Sequence, residues 1–270
     1  MKRLYLLALL TVTGISASAQ NKLGFSYSLG LPQQEMHDNI RPVHSLNTTF
    51  LSRFKCSEKF FWGIEAAFGQ YAYFNKEQDI RFPDGSGFTT EVTYSSNVVS
   101  GGLIARYNFL KGDAKVNPYL TGKMGVANFY SKVFVHDPHS EDDCKPLEKK
   151  TPINDVSFYA SYGAGVQIDI SGENCSKQST WFDISVSQLH GTKLDYINIK
   201  DIKENAVTDP NAPPAPTDGK GEPLSVRFIN VSTQTIHEHQ LAEVYNSPLR
   251  MLEIKVGVFF RLGKGKCSRS

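Results

Sequence analysis

The sequence predicts an all-β fold: an eight-stranded antiparallel up-and-down transmembrane β-barrel with short periplasmic turns and long extracellular loops. Three observations lead there. In residues 156–170, Val156, Phe158, Ala160, Tyr162, Ala164, Val166, Ile168 and Ile170 alternate without a break with Ser157, Tyr159, Ser161, Gly163, Gly165, Gln167 and Asp169. A period of two over fifteen residues makes a strand with one apolar face and one small or polar face. Such a ribbon exceeds the usual globular strand of about five or six residues, and about 9–11 residues cross a bilayer when tilted. Finally, the connections between these ribbons alternate in length, as they do in outer-membrane barrels.

The strands follow in order. The first, 23–31, sets Leu23, Phe25, Tyr27, Leu29 and Leu31 against Gly24, Ser26, Ser28 and Gly30. The second spans about 44–54. The third, 60–74, carries Trp62, Ile64, Ala66 and Phe68 on one face. The fourth, about 93–110, aligns Val99, Leu103, Ala105, Tyr107 and Phe109. Leu120, Met124 and Val126 mark the fifth, 118–135, and the sixth is 156–170. The seventh, 180–190, carries Phe182, Ile184 and Val186. The eighth, 251–262, carries Leu252, Ile254, Val256, Val258, Phe260 and Leu262. Segments 55–59, 111–117 and 171–179 read as short turns rich in Gly, Asn and Asp. Segments 32–43, 75–92, 136–155 and 191–250 read as long loops.

Residues 1–19 read as a cleaved signal peptide. Lys2 and Arg3 precede an apolar run, and Ala17-Ser18-Ala19 is a small-residue cleavage site. Residues 20–262 are then the barrel and 263–270 a periplasmic tail. Without Lys2 and Arg3 the 29 basic residues become 27, against 27 acidic ones. A net charge of zero leaves no electrostatic footprint for nucleic acid. In hydrocarbon an open sheet edge strands its backbone donors, so the sheet must close. Aromatic residues near strand ends (Tyr71, Tyr73, Phe74, Tyr107, Phe109, Tyr119, Phe129, Tyr130) suit interfacial girdles.

Three segments carry a resemblance: GGLIARYNFLKGDAKVNPYLTGKMGVANF, FYASYGAGVQIDI and the closing MLEIKVGVFFRL. On them the chain resembles the small outer-membrane β-barrel proteins of the Bacteroidetes type, with an OmpA/OmpX-like barrel architecture, PorT-like. The resemblance covers the mature chain and implies a role accessory to an envelope or secretion machine. It departs from proteobacterial barrels at the end, where 263–270 follow the last strand instead of a terminal aromatic residue.

With apolar faces toward lipid, parity turns Arg53, Glu65, Arg106, Lys123, Asp169, Asp183, Glu253, Lys255 and Arg261 inward. Four acidic and five basic residues then share a lumen that eight strands leave just wide enough for side chains. Isolated buried charges are costly, so these are expected to pair as a lumen charge network that plugs the barrel.

The long loop 191–250 is the expected platform for a protein partner. Its stretches 193–199 and 224–231 are expected to pair as a hairpin, 209–223 to form a disordered Pro-rich tip, and 236–245 to form a helical turn or two. Of the four cysteines, Cys56, Cys175 and Cys267 fall on the turn side and Cys144 alone outside. At most one intramolecular disulfide fits the reach of about 7 Å. Cys175 with Cys267 is the preferred pair, and the alternative leaves all four free. The run His136, Asp137, His139, Glu141, Asp142, Asp143, Cys144 and the triplet His237-Glu238-His239 match no zinc or calcium framework, so no metal and no cofactor are expected. No Ser/His/Asp arrangement rises above chance, so the expectation is a non-enzymatic barrel embedded in the outer membrane. The alternatives are a narrow gated channel for protons or small solutes, a lipid-modifying barrel enzyme, and a soluble lipocalin-like barrel with its faces inverted.

Overall fold

A computed structural model describes residues 21–54, 57–81, 87–110, 114–136, 148–171, 179–197, 222–229 and 236–262. Its elements are β1 (Asn21–Pro32), α1 (Glu35–Asn39), β2 (Val43–Arg53), β3 (Phe60–Arg81), β4 (Gly87–Asn108), β5 (Val116–His136), β6 (Glu148–Asp169), β7 (Thr180–Ile197), β8 (Glu222–Ile229) and β9 (Ile236–Leu262). Strands β1 to β7 pair in chain order, β7 pairs with β9, and β9 pairs back with β1. All of these pairings are antiparallel. The eight strands therefore close a barrel with no free edge at this level.

The register fixes the geometry. Followed across the ladders, Lys22 leads to Leu51, Gly63, Ile104, Lys123, Ser161, Leu189 and Met251, and Met251 faces Pro32. One circuit thus moves from residue 22 to residue 32, a shear of ten. With about 4.8 Å between strands and about 3.3 Å per residue, that stagger tilts the strands by about 40°. A row of facing residues climbs from the turn end at β1 to the loop end at β9.

Three of the segments expected to be loops contain long extensions of the strands. β3 and β4 stay paired out to Arg81 and Gly87, β6 begins at Glu148, and β7 runs on to Ile197. The alternation disappears in stretches such as Asn75-Lys76-Glu77-Gln78, because beyond the apolar band both faces are free to be polar while the backbone ladder continues. The expected hairpin between 193–199 and 224–231 does not form. Lys193–Ile197 pair instead with Val244–Pro248 of β9, and β8 pairs with Ile236–Val244. The stretch 236–245 is strand and not helix, since both flanking segments offer it ladder partners. Val244 faces Ile197 on one side and Glu222 on the other, so β8 occupies the β9 edge that β1 holds lower down. The tip 209–223 is outside the described residues apart from its last two positions, 222 and 223, which belong to β8. Residues 1–19, expected to be a signal peptide, and the expected tail 263–270 lie outside the described residues.

β6 and β7 part above Tyr159 and Gly191, their last ladder pair. Side chains replace the ladder there. The Phe158 amide donates to Thr192 Oγ1 at 3.1 Å, and the Asp195 amide donates to Asp155 Oδ2 at 2.8 Å. Bulges at Gln70/Ala72, Ser131/Val133 and His190/Lys193 lie at this same end, where they raise local twist as the strands leave the barrel.

Outward faces are apolar and exposed, and inward faces are small, polar or charged. Phe158, Leu46 and Met124 are 68, 69 and 64% exposed, and Trp62, Phe68, Leu103, Tyr162 and Ile184 are exposed as well. Inside, small residues make room for large ones. A Cβ on Gly24 would strike the Phe259 ring, and one on Gly165 would strike Tyr119. Of the residues expected in aromatic girdles, Tyr73, Tyr107 and Phe109 point outward, but Tyr71, Tyr119 and Phe129 are buried inside. Parity explains the correction: Tyr71 shares the face of Glu65, and Tyr119 and Phe129 share that of Lys123.

Candidate functional site: the charged layers of the lumen

All nine charged residues read as inward lie on inward parity, for each faces a lumen residue across a ladder: Arg53 faces Phe61, Asp169 faces Trp181, and Arg261 faces Lys22. Six of the nine are brought together, in two clusters at different heights.

The lower cluster is one-to-one. Arg106 Nη1 donates to Asp183 Oδ2 at 3.1 Å, and the Tyr119 hydroxyl donates to Asp183 Oδ1 at 2.8 Å. The guanidinium lies over the Tyr119 ring at 3.9 Å and the Phe259 ring at 4.8 Å. Arg106 and Asp183 are 77 residues apart in sequence but meet across the lumen, because the stagger brings them to one level. Both are almost fully buried. The charges are paired and cushioned, as burial in a narrow lumen demands.

The upper cluster is a closed quartet, roughly 7 Å nearer the loop end by the tilt and rise per residue. Glu65 Oε1 accepts from Lys123 Nζ at 3.1 Å and from Lys255 Nζ at 2.7 Å. Glu253 accepts from Lys123 at 2.5 Å and lies 3.8 Å from Lys255. Thr49 donates to Glu65 Oε2 and Ser187 to Glu253 Oε2, both at 2.9 Å. Each carboxylate serves two ammonium groups and each ammonium two carboxylates, so the quartet is neutral and its members hold one another in place.

Arg53, Asp169 and Arg261 do not join either cluster; no ion pair among the described residues engages them. They sit at the turn end, where side chains reach solvent and have less need of a partner. Asp169 accepts instead from the Ser171 amide at 2.8 Å, and Arg261 lies over the Trp181 ring at 5.4 Å. The sequence reading missed Lys22, one position before the expected first strand. Its ammonium donates to Gln167 Oε1 at 3.0 Å and lies 4.2 Å from the Trp181 ring centre. Continuing the parity of Ser26 and Gly24 by one step would have found it. Thr49 and Ser187 were also missed, since uncharged residues on the inward face give no signal of their own, and Tyr119 was assigned to a girdle although it shares the parity of Lys123.

Apolar side chains pack around the lower pair and beyond the quartet. Leu51, Phe61, Ile104, Trp181 and Phe259 form one cluster about the level of Arg106, with Phe259 under its guanidinium and Ile104 facing Lys123 across the ladder. At the loop end Met36, Ile40, Tyr71, Phe129, Tyr196 and Leu249 belong to a larger cluster. Met36 comes from α1, which lies in the connection between β1 and β2, and Asn39 Nδ2 donates to the Tyr196 hydroxyl at 3.2 Å. A cavity of about 60 Å³ remains near the quartet, lined by Ser28, Ser45, Asn47, Ala67, Ser100 and Glu253 among others. That is room for a few waters. Cys175 and Cys267 lie outside the described residues, as do Cys56 and Cys144 and the run 137–144. The side chains of 136 and 237–239 are likewise not described.

No family model matches this chain, and no curated protein matches it. Among solved structures it is similar to Neisserial surface protein A, with 8% identity and a TM-score of 0.40 over 90% of this chain and 96% of that one. It is also similar to a major outer membrane protein from Thermus thermophilus, with 9% identity and a TM-score of 0.36 over 90% and 99%. The attachment invasion locus protein of Yersinia pestis is a further similar structure, at 12% identity and a TM-score of 0.31 over 90% and 97%.

Proposed function

We propose that the chain is a non-enzymatic integral outer-membrane barrel whose lumen is plugged, and that it works as a scaffold presenting its loop-side extensions to a protein partner. The observation that carries this reading is the arrangement of polarity. A belt of exposed Trp, Phe, Leu, Ile and Tyr surrounds the barrel, whereas a monomer in water exposes contiguous apolar patches of only a few hundred Å². Inside, Arg106 with Asp183 and Glu65 with Lys123 and Lys255 are buried and paired. A soluble lipocalin-like barrel needs the opposite arrangement.

The plug reading draws on the filled lumen: an apolar cluster packed about the pair of Arg106 and Asp183, the ionic quartet above it, and a loop-end apolar cluster that includes Met36. The scaffold role draws on the strand extensions of β3 to β7 and β9 beyond the band. The PorT-like resemblance extends it to an accessory part in an envelope or secretion machine. Affinity purification of the detergent-solubilised protein from its native membrane tests the partner: an envelope protein recovered in stoichiometric amount supports it, and recovery of the barrel alone contradicts it.

The second reading, a narrow gated conduit, is favoured by the small cavity beside Glu253. Planar-bilayer recording separates the two. The plugged barrel gives no unitary openings, whereas a conduit gives steady openings that vanish when Arg106 and Glu253 are neutralised.

A further inference from the structure

The outer wall of the barrel is not uniform. Across β4 to β7 and β9 it is indented by an open groove of about 750 Å³, within the size range of small-molecule sites. Its floor includes Ala105, Gly122 and Ala164, and Tyr107, Leu120 and Tyr162 stand around them. All six side-chain positions are outward by parity, so the groove opens to whatever surrounds the barrel. The small residues are not demanded by the ladder at Gly122: a Cβ there would meet only the Ser161 carbonyl oxygen, at an ordinary 3.9 Å.

The loop-side lip of this groove is polar and cationic. Tyr162 lines the groove and stacks on His190, with ring centres 5.9 Å apart and planes 16° from parallel. His190 faces Arg250 across the β7–β9 ladder. Gln188, which also lines the groove, donates to Gln33 Oε1 at 2.6 Å. The row Leu103, Met124, Ala160, His190, Arg250 climbs by about 3 Å per strand. Leu103 and Met124 therefore lie within the apolar band, while His190 and Arg250 reach its loop-side edge. The next exposed positions on β7 are Thr192 and Lys193. No carboxylate among the described residues forms an ion pair with Arg250.

An apolar trough ending in a guanidinium and an imidazole at interface depth complements one kind of molecule, an amphiphile with an acyl chain and a phosphate headgroup. We infer that this groove is a lipid-binding site in which the chain lies against Gly122 and Ala164 and the phosphate meets Arg250 and His190. The inference rests on the membrane reading above and adds to it a defined lipid class and position.

The test is native mass spectrometry of the mature chain, released from detergent after incubation with dioleoyl phosphatidic acid or dioleoyl phosphatidylcholine. Phosphatidic acid is expected to be retained about fivefold better, the effect of one basic residue near a membrane surface. Arg250→Gln is expected to abolish that preference, with His190→Gln reducing it. Gly122→Leu is expected to lower retention of both lipids by filling the trough. Equal retention of the two lipids by the unaltered protein overturns the inference, as does a preference that survives Arg250→Gln or binding untouched by Gly122→Leu. Displacement of phosphatidic acid by inorganic phosphate at equal concentration also overturns it, since the lip would then be a site for the free anion. Each variant is first checked for heat-modifiable migration, which reports a folded barrel. Release of the protein from membranes by carbonate without detergent defeats the membrane reading itself; a protein that stays in the membrane but shows no lipid preference defeats only the groove.

Discussion

The two ionic clusters of the lumen use the same chemistry with different redundancy. Arg106 and Asp183 form a pair in which the guanidinium has one carboxylate, with Tyr119 as the only other polar group bonded to Asp183 among the described contacts. In the quartet of Glu65, Lys123, Glu253 and Lys255, every charge has two opposite neighbours. Breaking a buried pair leaves an uncompensated charge, whereas a shared network redistributes the loss. The pair is thus the brittle layer and the quartet the tolerant one, although both are closed to solvent.

That contrast is open to measurement by urea unfolding in detergent or lipid. Asp183→Asn is expected to destabilise the barrel most, by about 3–5 kcal/mol, because Arg106 stays buried without a carboxylate. Glu65→Gln is expected to cost about 1–3 kcal/mol, since Lys123 and Lys255 keep Glu253. Equal losses from the two substitutions would erase the distinction between the layers. Replacing both partners, Arg106→Met with Asp183→Leu, is expected to return stability to within about 1 kcal/mol of the unaltered protein. A double variant as unstable as Asp183→Asn would show that packing on Tyr119 and Phe259, not charge, governs this level.

The smallest expected effect lies at the loop end. Gln34, just before α1, adopts φ 56° and ψ −137°, a conformation that side chains other than hydrogen disfavour. The docking of Met36 and Ile40 beneath the loop-end strands holds it there. Gln34→Gly is expected to stabilise the docked segment by about 1 kcal/mol, read as slower amide exchange at Met36 and Ile40. Faster exchange would mean that the Gln34 side chain contributes more than its backbone costs.

The barrel and the inward charges were legible because one period ran through them. Apolar side chains facing out and small or charged ones facing in give a strict alternation from Phe158 to Ile170, and parity alone assigns Glu65, Lys123 and Asp183 to the interior. Pairing was another matter. Which carboxylate meets which ammonium depends on the shear of ten, and a one-residue change in any ladder would redistribute partners. The extensions of β3 and β9 were illegible for a different reason, whereas that of β7 was read as a paired strand and given the wrong partner. Past the apolar band nothing forces the outward face to be greasy, so Asn75-Lys76-Glu77 carries no period even though its backbone remains paired, while Lys193-Leu194-Asp195-Tyr196 alternates with its apolar members Leu194 and Tyr196 buried inside. The fate of Tyr71, Tyr119 and Phe129 was readable from parity, and was obscured by the habit of assigning strand-end aromatics to an interface.

The central claim is that the belt of outward side chains contacts lipid while the charged face is sealed within. Spin labels placed singly at Leu103, Phe158 and Ile184, and at the inward Ser100 and Ser161, in a chain with its native cysteines replaced, test it by power-saturation electron paramagnetic resonance in liposomes. The account predicts that the first three labels are relaxed by oxygen and not by a water-soluble nickel chelate, and that the inward two are shielded from both. Relaxation of the outward labels by the nickel chelate, with oxygen favouring the inward ones, would contradict it.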